Sequence, residues 1–74
     1  MFDVIKSIVY DVTGVDSLTE DTDFVRDLGL NSFDVVNIVS AFEEKYGIEV
    51  PIREIWRLHT VRDVMDYMRE KNWM

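Results

Sequence analysis

The chain has no cysteine, so neither a disulfide nor a thiolate zinc site can staple it, and its stability must come from packing. It has one proline and three glycines, and shows no Pro/Gly/Ser linker, internal repeat or low-complexity tract. No apolar run approaches the roughly 18 residues of a membrane span. No cleavable signal peptide is visible either, so a soluble cytoplasmic protein is the expectation. Basic residues are scarce: eight Lys and Arg stand against fifteen Asp and Glu, for a net charge of −7. The imbalance is local. Between Asp16 and Val50 nine acids face only Arg26 and Lys45, while the flanking segments are close to balance. Such a field repels nucleic acid and favours basic protein surfaces as partners, unless it serves solubility alone.

What is present suffices for one small core. At 74 residues and 47% hydrophobic content the chain is read as a single domain, 1–74, near the lower size at which one core is sufficient. Phe2, Ile5, Ile8, Val9 and Val12 recur at helical spacing, which predicts a first helix over Phe2–Thr13. Gly14 is its expected stop, because glycine tolerates the left-handed conformation that ends helices. A long acidic connection, 15–31, follows; Val15, Leu18, Phe24, Leu28 and Leu30 punctuate it as apolar anchors, so it is expected to be packed down. The second helix starts at Asn31 or Ser32 and runs to Tyr46, with Gly47 as its stop. Ile48 and Val50 form a short extended piece, and Pro51 opens a third, short helix over Ile52–Arg57. Thr60 and Asp63 have capping-box spacing, and Val61, Val64, Met65 and Met68 carry a fourth helix to about Lys71. The expected fold is all-α: a four-helix bundle with three main helices, a short third one and no strand of consequence.

At about 100° per residue, Val35, Ile38, Val39, Phe42 and Tyr46 of the second helix share one side and form its core stripe. Asn37, Ser40 and Glu44 lie opposite, with Glu43 on a flank and Phe33 and Val36 on or beside the polar face. A large apolar residue among acids on an outer face is informative. Either the long connection folds back over Phe33, or Phe33 is the greasy centre of an acid-rimmed contact patch.

Ser32 stands at the junction of connection and helix. Asn31 and Ser32 are both good N-caps, and Asp34 in the first turn suits the helix dipole. Hydrolase-type nucleophilic chemistry is excluded, since His59 is the only histidine and no Gly-x-Ser-x-Gly elbow occurs. His59 itself reads as a junction residue between the third and fourth helices. A calcium loop is excluded as well, because counting from Asp16 or Asp21 places an apolar residue at a required ligand position and no central glycine follows. A helix N-terminus does, however, favour an attached phosphate through its free amides and dipole, so a serine there is well placed to carry a phosphodiester.

The run DLGLNSFDVVNIVSAFEEKYGIEVP resembles the acyl carrier proteins, whose signature is Leu-Gly-x-Asp-Ser-Leu at the start of the second helix. The resemblance covers essentially the whole chain, including Asp23-Phe24 in the acidic connection, Phe42-Glu43-Glu44, Tyr46 to Pro51, and the closing Thr60-Val61-x-Asp63-Val64-x-Asp66-Tyr67. It implies an acyl-carrier-type four-helix bundle whose Ser32 bears 4′-phosphopantetheine, transferred from coenzyme A by a phosphopantetheinyl transferase. The thiol of that arm then holds acyl groups as thioesters and presents them to enzymes of fatty-acid, polyketide-like or specialised acyl-transfer pathways. Phe33, Asp34, Val36, Asn37, Glu43 and Glu44 fall at the positions that partners with basic docking patches contact. The resemblance implies a cytoplasmic monomer that catalyses nothing. Asn31 stands where the family usually has aspartate, Phe33 where it has leucine, and Asn37 and Ser40 where it has an acid and a methionine. Arg53, Arg57 and Arg62 make the third-helix region more basic, and these departures together point to a dedicated pathway with its own partners. The competing reading is an acidic helical adaptor of the same fold that is never modified. Met65, Met68 and Phe42 are ordinary core or an adaptable shelter for an acyl chain, and Trp73 is either a clamp on the bundle or a frayed tail.

Overall fold

The computed structural model describes residues 1–73. In α1 (Phe2–Thr13) the apolar spacing brings Ile5, Ile8 and Val9 to one buried side. The helix stops at Gly14, which takes φ 79° and closes its amide onto the Tyr10 carbonyl at 2.8 Å. The other elements are α2 (Ser32–Tyr46), α3 (Ile52–Ile55) and α4 (Val61–Glu70). α1 packs along α2 and also meets α4. Val35, Ile38, Val39 and Phe42 of α2 are buried as the periodicity predicts, while Tyr46 is half-buried and stacks on Phe42. One apolar core draws on all four helices and on the connection. Among the described residues no helix is long and apolar enough to cross a membrane.

One helix end falls short of the sequence reading, and another meets it. α3 stops at Ile55 rather than Arg57, because the chain tightens there: the Arg57 amide bonds to the Glu54 carbonyl at 3.1 Å and the Leu58 amide to Ile55 at 3.1 Å. These are three-residue steps, the tighter winding with which helices commonly finish. α4 ends at Glu70 with Lys71 as its cap. Asn72 then enters the left-handed region at φ 61°, and the Trp73 amide returns to the Met68 carbonyl at 2.8 Å. That turn brings Trp73 edge-on to Tyr67, with ring centroids 5.8 Å apart, so Trp73 is the clamp and not a frayed tail.

The connection is packed down by Leu18, Phe24 and Leu30, all buried, with Val15 and Leu28 half-buried. Its acids fold its own backbone. Asp23 Oδ1 accepts from the Val25 and Arg26 amides at 3.0 and 2.8 Å, and Asp27 Oδ2 accepts from the Asp23 amide at 2.8 Å. The Arg26 amide is the largest cause holding the Asp23 carboxyl below its usual range, helped by the Val25 amide. The segment is then stitched to the entry of α4: the Phe24 amide donates to the His59 carbonyl at 2.9 Å and the Val61 amide to Thr22 at 3.1 Å. These bonds flank an isolated antiparallel bridge between Asp23 and Thr60. His59 lies exposed at the α3–α4 junction, and its carbonyl serves that stitch. The Thr60 capping box forms in full, with Asp63 Oδ2 accepting from the Thr60 amide and Thr60 Oγ1 from the Asp63 amide, both at 3.1 Å. Arg62 pairs with Asp21 at 2.5 Å and Glu20 at 3.6 Å, so its charge is spent on the connection and does not add to a basic third helix. Arg53 and Arg57 keep that character.

Candidate functional site

The site is built where the connection ends. The Gly29 amide bonds to the Val25 carbonyl at 3.0 Å and the Leu30 amide to Phe24 at 3.1 Å, while Leu30 is buried. This turn delivers Asn31 to the start of α2 in extended conformation, φ −91° and ψ 175°. Asn31 Oδ1 accepts from the Asp34 amide at 2.9 Å. The cap is therefore Asn31, and Ser32 is the first residue of the helix.

Two consequences follow for Ser32. Its side chain is exposed, and among the described residues its hydroxyl makes no hydrogen bond. It also sits at the positive end of a fifteen-residue helix, where the Ser32 and Phe33 amides have no partner among the described residues. A phosphate on this oxygen would meet donors and a favourable dipole, and nothing would have to be broken to make room. Asn31→Ala should cost about 0.5–2 kcal/mol of unfolding free energy by removing the cap. Asn31→Asp should retain that stability, as chemical denaturation of the two variants will show.

Phe33 is 72% exposed, so the connection does not cover it. Asn37, Ser40 and Glu44 continue its stripe along α2; Asn37 is half-buried, and Ser40 and Glu44 are exposed. Asp34 and Val36 flank the stripe and are half-buried. Glu43 lies half-buried on the flank of this surface group. Its Oε2 accepts from the Val50 amide at 2.8 Å, tying the end of α2 to the chain that leads into α3. Sequence reasoning had no signal for that tie, because the partners are seven residues apart across a turn.

Sequence reasoning also missed the way the bundle is closed on the far side of α2. An apolar cavity of about 30 Å³ is lined by Val35, Ile38, Val39 and Phe42 of α2 and by Phe24, Ile48, Val50, Leu58, Val64, Tyr67 and Met68. Val35, one of its lining residues, stands one turn beyond Ser32. Tyr67 donates its hydroxyl hydrogen bond to Glu54 Oε1, joining α4 to α3. Burial first, and Glu54 second, push the Tyr67 phenol up to about 12, so it remains a proton donor at neutral pH. The same hydrogen bond holds the Glu54 carboxyl below its usual range.

The protein is thus a short helical bundle that presents, above an apolar core, a serine at the amide-rich start of its second helix whose hydroxyl has no partner among the described residues. The comparisons give the family. The phosphopantetheine attachment site family matches residues 3–68. An acyl carrier protein of Akkermansia muciniphila is 44% identical over 68 residues, covering 89% of this chain and 85% of the relative. One from Zymomonas mobilis is 40% identical over 68 residues, covering 89% and 87%. The chain belongs to the acyl carrier proteins, and its cofactor is 4′-phosphopantetheine.

Proposed function

We propose that Ser32 is the attachment residue and that the protein acts purely as a carrier, presenting thioester-bound acyl groups to separate enzymes. The observation that carries this reading is the division of labour at the start of α2: Asn31 caps the helix, and Ser32 is left exposed, its hydroxyl and the nearby amides without partners among the described residues. When bound, the arm supplies the thiol that forms the thioester. The residues of this chain hold its phosphate at a helix end and catalyse nothing. Incubation with coenzyme A and a broad-specificity phosphopantetheinyl transferase should add one phosphopantetheine mass, mapped by peptide sequencing to Ser32. An unchanged mass would favour the unmodified adaptor.

The partners are that transferase and acyl-loading and acyl-transfer enzymes with basic docking patches. Phe33, Asp34, Val36, Asn37 and Glu44 form the surface offered to them, with Phe33 as its apolar centre; Glu43 contributes at the edge while holding Val50. The working form is a cytoplasmic monomer, and the charge of −7 disfavours nucleic acid. Phe33→Ala should leave stability within about 0.5 kcal/mol, because the ring is exposed. It should lower the efficiency of transfer by a partner roughly five- to thirtyfold, equivalent to about 1–2 kcal/mol. A large loss of stability instead would place Phe33 in the core.

The apolar cavity beneath Val35 is where the tail of a carried acyl chain withdraws from water. At 30 Å³ it has room for no more than about two or three water molecules, so a chain enters only as the lining side chains move apart. Met68, unbranched and polarizable, suits that adjustment.

A further inference from the structure

We propose that Tyr67 is the wall at which the sheltered space ends, and that it thereby limits the length of acyl chain the bundle can enclose. This rests on the reading that Ser32 carries an acyl chain whose tail enters the core. Tyr67 and Leu58 line two spaces at once. On one side lies the cavity, whose wall is wholly apolar, while the Tyr67 hydroxyl is directed out of it to Glu54. On the other lies an open groove of about 250 Å³ whose remaining lining is entirely charged: Glu54, Arg57, Asp63, Asp66, Glu70 and Lys71. Tyr67, with Leu58 beside it, is thus the partition between a space that rewards each enclosed methylene and one that rewards none.

The partition is held from three directions. Its hydroxyl donates to Glu54 on α3, Lys71 Nζ lies 5.5 Å from its ring centroid, and Trp73 packs edge-on against it. Lys71 also stands 4.0 Å from Glu54 Oε1, so the three polar members brace one another. Met68 and Val64 on the same helix have no comparable anchor and can yield to an entering chain, whereas a tail that reaches Tyr67 meets a ring fixed in place. Growth past that point would push methylenes among carboxylates and cations, where they gain nothing.

The test loads the holo protein with a homologous series of saturated straight acyl chains and records the thermal midpoint of each. For the parent, the midpoint should rise with chain length and then level off. In Tyr67→Ala the levelling point should move to longer chains; in Tyr67→Phe, which keeps the ring, it should stay. In the parent carrying the longest sheltered chain, the terminal methyl should give nuclear Overhauser contacts to the Tyr67 ring. That measurement decides the matter even if Tyr67→Ala does not fold. An unmoved levelling point in a folded Tyr67→Ala, or terminal-methyl contacts that omit Tyr67, overturns the proposal. The intact mass distinguishes the two levels of failure. Without loading at Ser32, the carrier reading falls and takes this one with it; with normal loading and no Tyr67 effect, only the wall is refuted.

Discussion

Ser32→Ala is expected to abolish the phosphopantetheine mass gain completely while leaving the unfolding free energy within about 0.5 kcal/mol of the parent. The first half follows from chemistry, because alanine offers no oxygen for the phosphodiester. The second half follows from the local structure. The Ser32 side chain is exposed and unbonded among the described residues, and the cap that secures the helix start is the Asn31 side chain on the Asp34 amide. Alanine is also the better helix former by a few tenths of a kcal/mol, which offsets whatever hydration the hydroxyl loses. The neighbouring pair of residues should therefore separate cleanly: Ser32→Ala loses modification and keeps stability, and Asn31→Ala loses stability and keeps the serine. Intact mass and urea unfolding on the same samples read both halves. A full mass gain in Ser32→Ala would move the attachment to another serine, with Ser40 on the outer stripe of α2 the first to examine.

The largest stability loss should come from Ile5→Ala, at about 2–5 kcal/mol. Ile5 is 0% exposed and sits on α1, the helix that packs against both α2 and α4, so its truncation leaves a void in a close-packed core that relaxes only in part. A small domain is stable by only about 5–15 kcal/mol in total. At roughly 4–8 °C per kcal/mol for a domain of this size, the melting temperature should fall by some tens of degrees at the upper end. Urea unfolding followed by helical circular dichroism should show a lower midpoint with an unchanged slope, since the surface exposed on unfolding is the same. A loss below about 1 kcal/mol would mean that the core around α1 is loosely packed and repacks freely.

The particular residues show how far the sequence reaches. The helices of the bundle are legible because their signals are local. Apolar side chains three and four apart define α1, α2 and α4; Gly14 and Gly47 stop two of them; and Thr60 and Asp63 cap the last within one turn. The serine is legible for the same reason, since a cap residue and a helix start are adjacent in the chain. The end of α3 was overestimated by two residues because the switch to three-residue steps depends on where Leu58 turns, and no residue type within the segment announces it.

What sequence alone determined, then, is the all-α bundle, the buried stripe of α2 and the position of Ser32 at a helix start, because each is written in spacings of four residues or fewer. Tertiary structure alone decided the rest. It spent Arg62 on Glu20 and Asp21 and tied Glu43 to Val50. It also set Tyr67 between an apolar cavity and a charged groove, locked to Glu54 thirteen positions away. Either partner of each such pair has several polar neighbours it could satisfy in an isolated chain. Only the packing of the helices brings one of them within hydrogen-bond reach, and that choice is made by the whole core and not by any local run of residues.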